Sequence, residues 1–292
     1  MSKGYSVAVL GATGLVGETL IRILEERDFP VSRFVPLASE RSAGRKVRFR
    51  GEDFPVQDVA RFDFRDVQIG LFSAGASVSA VHAPRAGAAG CVVIDNTSKF
   101  RYDADIPLVV PEVNPEAIAG YPPRNIIANP NCSTIQMVVA LKPIHDAAGI
   151  TRINVATYQS VSGAGRRSVE TLRRQAGESL AERPVQTEGA AKPIAFNVIP
   201  HIDEFQPNGY TKEEMKMVWE TRKILGDESI QVNPTAVRVP VYYGHSEAVH
   251  VETRKPISAA AVRELLAKAP GVTVLDEARL GGYPTAVTEG AH

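Results

Sequence analysis

The glycine-rich segment that follows the first apolar run constrains the fold more than any other feature. Val7–Leu10 has the bulky apolar composition of a buried parallel strand, and Gly11, Gly14 and Gly17 come directly after it. Gly11 permits a tight turn, Gly14 lets a phosphate approach the backbone, and Gly17 lets a helix pack closely on the strand. The spacing GxxGxxG is less specific than GxGxxG, and a purely structural turn is the alternative. Its place between a strand and a helix favours dinucleotide binding.

Strand-like and helix-like segments alternate through the first half. Further strands are predicted at Val31–Leu37, Val67–Phe72 and Cys91–Asp95, and a helix at Ser77–Ala89. This alternation predicts a Rossmann-type parallel sheet with right-handed crossovers. The charged segment Ser39–Val59 is predicted to form a loop or an edge hairpin.

A change of pattern near residues 120–131 indicates a second domain. Turn residues there are followed by a predicted helix that begins at Cys132 and ends before Gly149. Further elements are predicted as strands at Thr151–Val161, Gln231–Pro240 and Val241–Thr253, and as helices at Arg166–Leu180, Lys212–Leu225 and, capped by Ser258, Ala259–Lys268. The last two strands are predicted to be neighbours. We therefore expect a dinucleotide domain over residues 1–129 and an α+β domain over residues 130–292.

Charge and cysteine content exclude several classes of protein. The 33 basic residues equal the 33 acidic ones, which argues against a nucleic-acid or anionic-membrane partner. No apolar run approaches the roughly 18 residues of a membrane span. Two cysteines cannot form a disulfide framework, so a reducing, cytoplasmic location is expected.

The segment after the second strand favours NADP over NAD. An acidic residue there usually binds the ribose hydroxyls of NAD. Here Ser39, Arg41 and Ser42 offer hydroxyl groups and a positive charge to a 2′-phosphate, although Glu40 has the opposite charge. A solvated charged loop is the alternative.

Cys132 is the candidate nucleophile. It follows Asn129-Pro-Asn131 at the predicted start of a helix, where the helix dipole and free N–H groups favour the thiolate. A small buried residue at a strand–helix junction is the alternative, and that interpretation is preferred for Cys91.

His245 is the candidate proton partner among six histidines. Tyr243-Gly244 predicts a kink that would direct its side chain, and Arg238, seven residues earlier, suits a carboxylate. A surface or structural histidine is the alternative, and it is preferred for His82 and His145 on predicted helices.

In combination these motifs resemble the aspartate-β-semialdehyde dehydrogenase family from residue 5 to about 280. The resemblance rests on these segments, in chain order: Gly11–Gly17, Asp95–Ser98, Phe100-Arg101, Val110–Asn114, Asn129–Thr134, Tyr158–Gly165, Lys212–Lys216 and Arg238–Glu247. It implies NADPH-dependent reduction of β-aspartyl phosphate to aspartate semialdehyde through a cysteine thioester. That reaction belongs to lysine, diaminopimelate, methionine and threonine biosynthesis.

The resemblance also implies a role for each matching residue. Cys132 would be the nucleophile, Gln159 would orient the substrate, and His245 would be the acid/base. Arg238 and Glu213 would hold the α-carboxylate and ammonium groups, and the phosphate would contact Arg101, Asn131 and Lys216. The implied NADP contacts are Gly11, Thr13, Gly14, Leu15, Val16, Gly17, Ser39, Arg41, Ser42, Ser73, Ser162 and Gly163. No metal is implied.

Family members usually form homodimers through the second domain and continue some tens of residues further. The resemblance therefore leads us to expect a homodimer. It also implies that this sequence, which ends at Thr288–His292, lacks the usual C-terminal segment and leaves the second domain incomplete. Two alternatives remain. One is a related acyl-phosphate reductase, such as N-acetyl-γ-glutamyl-phosphate reductase, which Gln159 and the pairing of Arg238 with His245 disfavour. The other is a catalytically inactive NADP-binding module.

Overall fold

The computed structural model describes residues 4–187 and 191–289. The chain divides into two compact units, Met1–Pro130 and Asn131–His292. Within the described residues, no helix combines the length and apolar character needed to cross a bilayer.

The first unit is built around a parallel sheet. Its elements are β1 (Tyr5–Leu10), α1 (Leu15–Glu26), β2 (Val31–Ala38), β3 (Lys46–Phe49), β4 (Glu52–Pro55), β5 (Gln57–Asp58), β6 (Ile69–Phe72), α2 (Ala76–Ala88), β7 (Val92–Asp95) and β8 (Ile126–Ala128). Six strands form the sheet in the order β5-β2-β1-β6-β7-β8, with every neighbouring pair parallel. The predicted Rossmann-type alternation is confirmed.

The glycine segment has the geometry expected of a tight strand-to-helix turn. Gly11 has φ +90, a value that L residues rarely adopt, and a Cβ there would lie 2.9 Å from the Ser73 hydroxyl oxygen. A Cβ on Gly17 would collide with the Gly11 carbonyl and the Ala12 backbone. Both glycines are therefore needed for α1 to begin so close to the end of β1.

Two local features of the first unit refine the predictions. The segment predicted as a loop or edge hairpin contains the antiparallel pair β3–β4, and its last residues form β5, which joins the main sheet. The short strand β8 was not predicted, because Ile126–Ala128 is only three residues long and is surrounded by turn residues.

The second unit is an α+β structure. Its elements are α3 (Cys132–Ala148), β9 (Ile150–Gln159), α4 (Arg166–Leu180), α5 (Lys212–Leu225), β10 (Gln231–Arg238), β11 (Ser246–Thr253), α6 (Ala259–Leu266) and α7 (Ala286–Glu289). The predicted helix boundaries are close to those observed. Gly149 ends α3 with φ 67, and the Ser258 hydroxyl accepts a hydrogen bond from the Ala261 N–H at the start of α6.

The predicted pairing of the last two strands is wrong. The sheet order is β10-β9-β11, so β9 lies between them. β10 runs parallel to β9 and β11 runs antiparallel to it. Strand spacing along the sequence suggested a hairpin, but residues 239–245 instead cross the end of β9. Three strand termini meet there, because Arg238 pairs with Gln159 and Ser246 pairs with Tyr158.

A single apolar cluster fixes α3 against this sheet. It contains Met137, Leu141 and Ile144 from the helix and Ile153 and Val155 from β9, all nearly or fully buried. Burying side chains of this kind contributes about 1.5–3 kcal/mol each. The N-terminus of α3 is therefore held at a defined place beside the sheet.

The start of α5 should be a local determinant of stability. The Thr211 hydroxyl accepts from the Glu214 N–H, and the Glu214 carboxylate accepts from the Thr211 N–H at 2.7 Å, which is a complete capping box. Thr211→Ala should lower the free energy of unfolding by about 1 kcal/mol. Urea unfolding followed by the fluorescence of Trp219, the single tryptophan, which lies on α5, measures this. Thr211→Ser is the matched control and should keep most of the stability; equal loss in both variants would contradict the capping explanation.

Candidate active site

Cys132 is the first residue of α3, and the thiol is exposed. Asn131 caps this helix: its side-chain oxygen accepts hydrogen bonds from the N–H groups of Ser133 at 3.0 Å and Thr134 at 3.4 Å. The predicted helix start is confirmed. A helix N-terminus stabilises a negative charge, so the position suits a thiolate.

The structure brings His245 to this thiol. The Cys132 sulfur lies 3.2 Å from His245 Nε2. The other ring nitrogen, Nδ1, accepts a hydrogen bond from the Ser160 backbone N–H at 3.0 Å. Gly244, with φ +82, turns the chain immediately before the histidine, as the predicted kink requires.

The surroundings of His245 disfavour its charged form. Burial, together with the positive charge of Arg238, lowers the pKa of His245 to about 4, although Glu213 acts in the opposite direction. The imidazole is therefore neutral at pH 7.

Arg238 is placed by the end of β10. Its guanidinium Nη1 donates to the Ser160 carbonyl oxygen at 2.7 Å, which fixes one edge of the group. A Cβ on Gly163 would lie 3.1 Å from Arg238 Nη1 and 3.4 Å from the His245 ring. Gly163 was predicted as a cofactor contact. Because glycine has no side chain, this position leaves room for Arg238 and for the His245 ring.

Glu213 and Lys216 lie on one face of α5 and form a buried ion pair. Lys216 Nζ is 2.9 Å from Glu213 Oε2 and 2.8 Å from Asp203 Oδ2. Burial tends to raise the pKa of Glu213, but Lys216 and hydrogen bonds from Asn131 and Gln159 outweigh it, so that pKa is lowered. Burial tends to lower the pKa of Lys216, but the two carboxylates outweigh it, so that pKa is raised. Both groups are charged at neutral pH.

Glu213 connects the helix cap to the central strand. Its Oε1 accepts from Asn131 Nδ2 at 2.9 Å and from Gln159 Nε2 at 3.4 Å. Gln159 ends β9 with 1% of its surface exposed, and it also donates to the Thr157 hydroxyl at 3.3 Å. Glu213 is therefore in contact with three of the predicted site residues.

Arg101, predicted with Asn131 and Lys216 as a phosphate contact, belongs to the first unit. It is buried, and its Nη2 donates to the Asn96 carbonyl oxygen at 3.2 Å. This places it just beyond the carboxyl end of β7.

The first unit contains a cleft of about 550 Å³ beside the glycine segment. The predicted cofactor residues that line it are Gly11, Thr13, Gly14, Ser39, Ser42 and Ser73. No side chain caps the N-terminus of α1, which begins at Leu15, so the first-turn N–H groups of that helix are available to a phosphate. These features fit a dinucleotide.

The remaining predicted cofactor residues do not line this cleft. Leu15, Val16 and Gly17 form the first turn of α1. Arg41 is exposed and lies between the lining residues Glu40 and Ser42. Ser162 belongs to the second unit, where its hydroxyl oxygen is 3.0 Å from that of Ser160.

Two further observations limit the chemistry of the described residues. They contain no group of three or more His, Cys, Asp or Glu side chains able to hold a metal ion. Cys91 is fully buried, and burial raises the pKa of its thiol to about 12. It is therefore a packing residue, as predicted.

Sequence reasoning missed Ser160 and Asp203. Ser160 contacts both His245 and Arg238, and Asp203 is the second partner of Lys216. Ser160 follows Gln159 directly, so its position within the Gln159 motif was a usable signal. No sequence signal identified Asp203, which lies in irregular structure.

Known proteins resemble the chain over nearly its whole length. A family model for the NAD binding domain of semialdehyde dehydrogenase matches residues 6–121, and one for the dimerisation domain of semialdehyde dehydrogenase matches residues 141–291. The aspartate-semialdehyde dehydrogenase of Legionella pneumophila is 61% identical, over 98% of this chain and 83% of its own length. That of Aquifex aeolicus is 52% identical, over 96% of this chain and 83% of its own length.

Solved structures give the same result. Aspartate semialdehyde dehydrogenase II from Vibrio cholerae, complexed with ASA, has a TM-score of 0.96 and 59% identity, over 99% of this chain and 85% of its own. The enzyme from Candida albicans, solved with NADP, has a TM-score of 0.69 and 26% identity, over 91% of this chain and 76% of its own. With the geometry of Cys132 and His245, these similarities show that the chain belongs to the aspartate-semialdehyde dehydrogenase family.

Proposed function

We propose that the protein reduces β-aspartyl phosphate to aspartate semialdehyde and phosphate, using NADPH, in the biosynthesis of lysine, diaminopimelate, methionine and threonine. The observation that supports this most directly is the 3.2 Å contact between the Cys132 sulfur and His245 Nε2 at the N-terminus of α3. A thiol in that position can become a nucleophile with a proton carrier beside it. Residues 1–129 would bind the cofactor, and residues 130–292 would bind the substrate and form the dimer.

Cys132 performs the covalent step. Its thiolate attacks the acyl carbonyl carbon, a C–S bond forms, and the C–O bond to the phosphate breaks with the electron pair leaving on the phosphate. The product is a thioester on Cys132. When bound, NADPH supplies the hydride that reduces an acyl group to the level of the aldehyde. The C–S bond then breaks, and the thiolate returns to its place at the start of α3.

His245 handles the proton at the reacting oxygen. The neutral ring can take the proton of the Cys132 thiol on Nε2 as the thiolate forms, and the charged ring can then give that hydrogen to the oxygen that becomes negative next to the C–S bond. General acid–base catalysis of this kind raises the rate of the chemical step about 10²–10⁴-fold. The neutral ring, with its pKa of about 4, can also accept a proton in the reverse direction.

Charged groups of the second unit would hold the substrate. Arg238 has N–H groups beyond the one used by the Ser160 carbonyl, and a guanidinium binds a carboxylate in a planar geometry. The ionised Glu213 suits the α-ammonium group, and Gln159 would orient the acyl group. Lys216 and Asn131, with Arg101 of the first unit, would contribute to phosphate binding, since a leaving phosphate requires positive and N–H groups.

The cofactor proposal rests on the cleft of the first unit. Gly11 and Gly14 allow the backbone to approach a pyrophosphate, and Ser39 and Ser42 offer hydroxyl groups to a 2′-phosphate. Exposed Arg41, between the lining residues Glu40 and Ser42, adds a positive charge.

The homodimer proposal rests on the sheet of the second unit. Val249 and Val251 of β11 pack towards the core cluster, so Ala248 and His250 face the other side of the strand and are exposed. Tyr158 of β9 is also 45% exposed. The match of residues 141–291 to a dimerisation domain supports this sheet as the surface that pairs with a second copy.

Removing the thiol tests the covalent step. Cys132→Ser should lower the turnover of aspartate semialdehyde with phosphate and NADP by roughly 10³-fold or more, because a hydroxyl is a far weaker nucleophile at neutral pH. NADPH affinity, measured by fluorescence titration, should be unchanged. Cys91→Ala is the matched control and should retain turnover. Near-normal activity of Cys132→Ser would exclude the thioester.

Removing the positive charge beside the cofactor cleft tests the preference for NADP. Arg41→Ala should raise the KM for NADPH by about tenfold, since a hydrogen-bonded charge on phosphate contributes roughly 1.5–3 kcal/mol and this one is exposed. The KM for NADH should not change. Arg33→Ala, which removes an exposed arginine on β2, is the control. Equal effects of Arg41→Ala on the two cofactors would contradict a contact with the 2′-phosphate.

A charged side chain on the exposed sheet face tests the dimer. Ala248→Arg should shift the sedimentation coefficient from that of a dimer to that of a monomer, because an unpaired charge at the centre of an interface is costly. Glu170→Arg, on an exposed position of α4, should leave the coefficient unchanged. A wild-type protein that sediments as a monomer, or an Ala248→Arg protein that remains a dimer, would rule out this surface.

A further inference from the structure

The cofactor cleft of the first unit is lined by two carboxylates. Among the described residues that line it, the side chains able to carry a charge are Glu40, Asp58 and His82. Burial and, to a lesser extent, the charge of Arg85 lower the pKa of His82, so this ring is neutral at pH 7.5. The lining side chains themselves therefore bring two negative charges to the cleft.

Strand pairing places both carboxylates where the ribose of a dinucleotide is recognised. Ala38, the last residue of β2, pairs with Asp58, the last residue of β5, and Glu40 follows β2 by two residues. In dinucleotide folds an acidic residue after this second strand binds the ribose hydroxyls of NAD, and it would repel a 2′-phosphate at the same place. Taken alone, the two carboxylates would thus favour NAD, against the preference expected from Arg41 and the serines beside it.

Arg61 lies against both carboxylates. Its Nη2 is 3.6 Å from Glu40 Oε1, and its Nε is 3.7 Å from Asp58 Oδ2. Both partners line the cleft, so the guanidinium lies at its border. Arg61 therefore opposes the repulsion that these two carboxylates would exert on a phosphate.

The segment that carries Arg61 is fixed to α2. Arg85 of that helix donates from Nη2 to the carbonyl oxygens of Val59 at 2.7 Å and Phe62 at 2.6 Å. The backbone on both sides of Arg61 is thus held in place, and the two ion pairs cost only the freedom of its side chain. This reduces the entropy that an exposed ion pair has to offset.

We propose that Arg61 is a specificity-determining residue for the cofactor: it neutralises Glu40 and Asp58, so that a dinucleotide with a 2′-phosphate can bind beside them. Arg61 acts through the two carboxylates and is a positioning residue, whereas Arg41 is the expected contact of the phosphate. The inference rests on the proposed use of NADPH. The charge balance around Glu40 and Asp58 then contributes to the choice between NADP and NAD together with the phosphate contacts.

Removing the guanidinium tests this inference by binding alone. Arg61 has 82% of its side chain exposed, so Arg61→Ala should fold normally. It should raise the Kd for NADPH about three- to fivefold, because the phosphate then meets two uncompensated carboxylates. The Kd for NADH should change less than about twofold, since its ribose hydroxyls are neutral. Fluorescence titration at low and high salt measures both constants, and the effect on NADPH should shrink as salt screens the charges.

Removing the carboxylates separates this role from a direct contact with the phosphate. In the Glu40→Gln, Asp58→Asn background, Arg61→Ala should change the Kd for NADPH less than about twofold, because no negative charge is left to compensate. A loss as large as in the wild-type background would overturn the proposal, since Arg61 would then bind the phosphate itself. An unchanged Kd for NADPH in Arg61→Ala, or equal increases for NADPH and NADH, would overturn it as well.

An arginine from a nearby part of the chain supplies the matched control. Arg65 is as exposed as Arg61, and its ion pair is with Asp63, so Arg65→Ala should leave both Kd values unchanged. An equal shift of the ratio of the two Kd values in Arg65→Ala and Arg61→Ala would overturn the proposal. If the wild type binds NADH more tightly than NADPH, the proposed preference for NADP fails, whereas the change of this ratio in Arg61→Ala still decides the role of Arg61.

Discussion

The parallel pairing of β10 with β9 is the constraint on which the site depends. Because both strands end at the same edge of the sheet, Gln159 and Arg238 are brought side by side by the register. β11 is antiparallel to β9, so it must begin at that edge, and residues 239–245 have to cross it. His245 is the last residue of that crossing. A slip of one residue in the strand pairing would turn Gln159 to the other face of the sheet. The register that buries the apolar side chains of β9 therefore also places Gln159 in the site.

The buried ion pair on α5 organises this edge. A buried carboxylate left without its partner commonly costs about 3–5 kcal/mol, so Lys216 is needed for Glu213 to remain ionised there. The ionised group can then accept hydrogen bonds from both the cap of α3 and the end of β9. Glu213 therefore couples the position of the thiol helix to the position of Gln159, in addition to any contact with a substrate.

The features that could be predicted from sequence are those with a local cause. The glycine turn, the start of α3 at Cys132 and its end at Gly149 follow from backbone conformation and helix capping, which short segments encode. The order of the strands does not, because β9 enters between β10 and β11 from about 70 residues earlier in the chain. His245 could be named as a candidate because its motif is local. Its contact with Ser160 depends on how residues 239–245 cross the end of β9, which the sequence pattern did not indicate.

The two cysteines show how much of the reactivity comes from position. Cys91 lies between α2 and β7 with no surface exposed, and burial raises its thiol pKa to about 12, so it stays protonated and inert. Cys132 has an exposed thiol at the N-terminus of α3, and the Nε2 atom of His245 lies 3.2 Å from its sulfur.

Burial also raises the pKa of Glu247, on the strand after His245, to about 8, so near pH 7 this carboxyl is mostly neutral. A neutral Glu247 adds no negative charge near the start of β11, whereas the positive charge of Arg238 interacts favourably with a thiolate at Cys132.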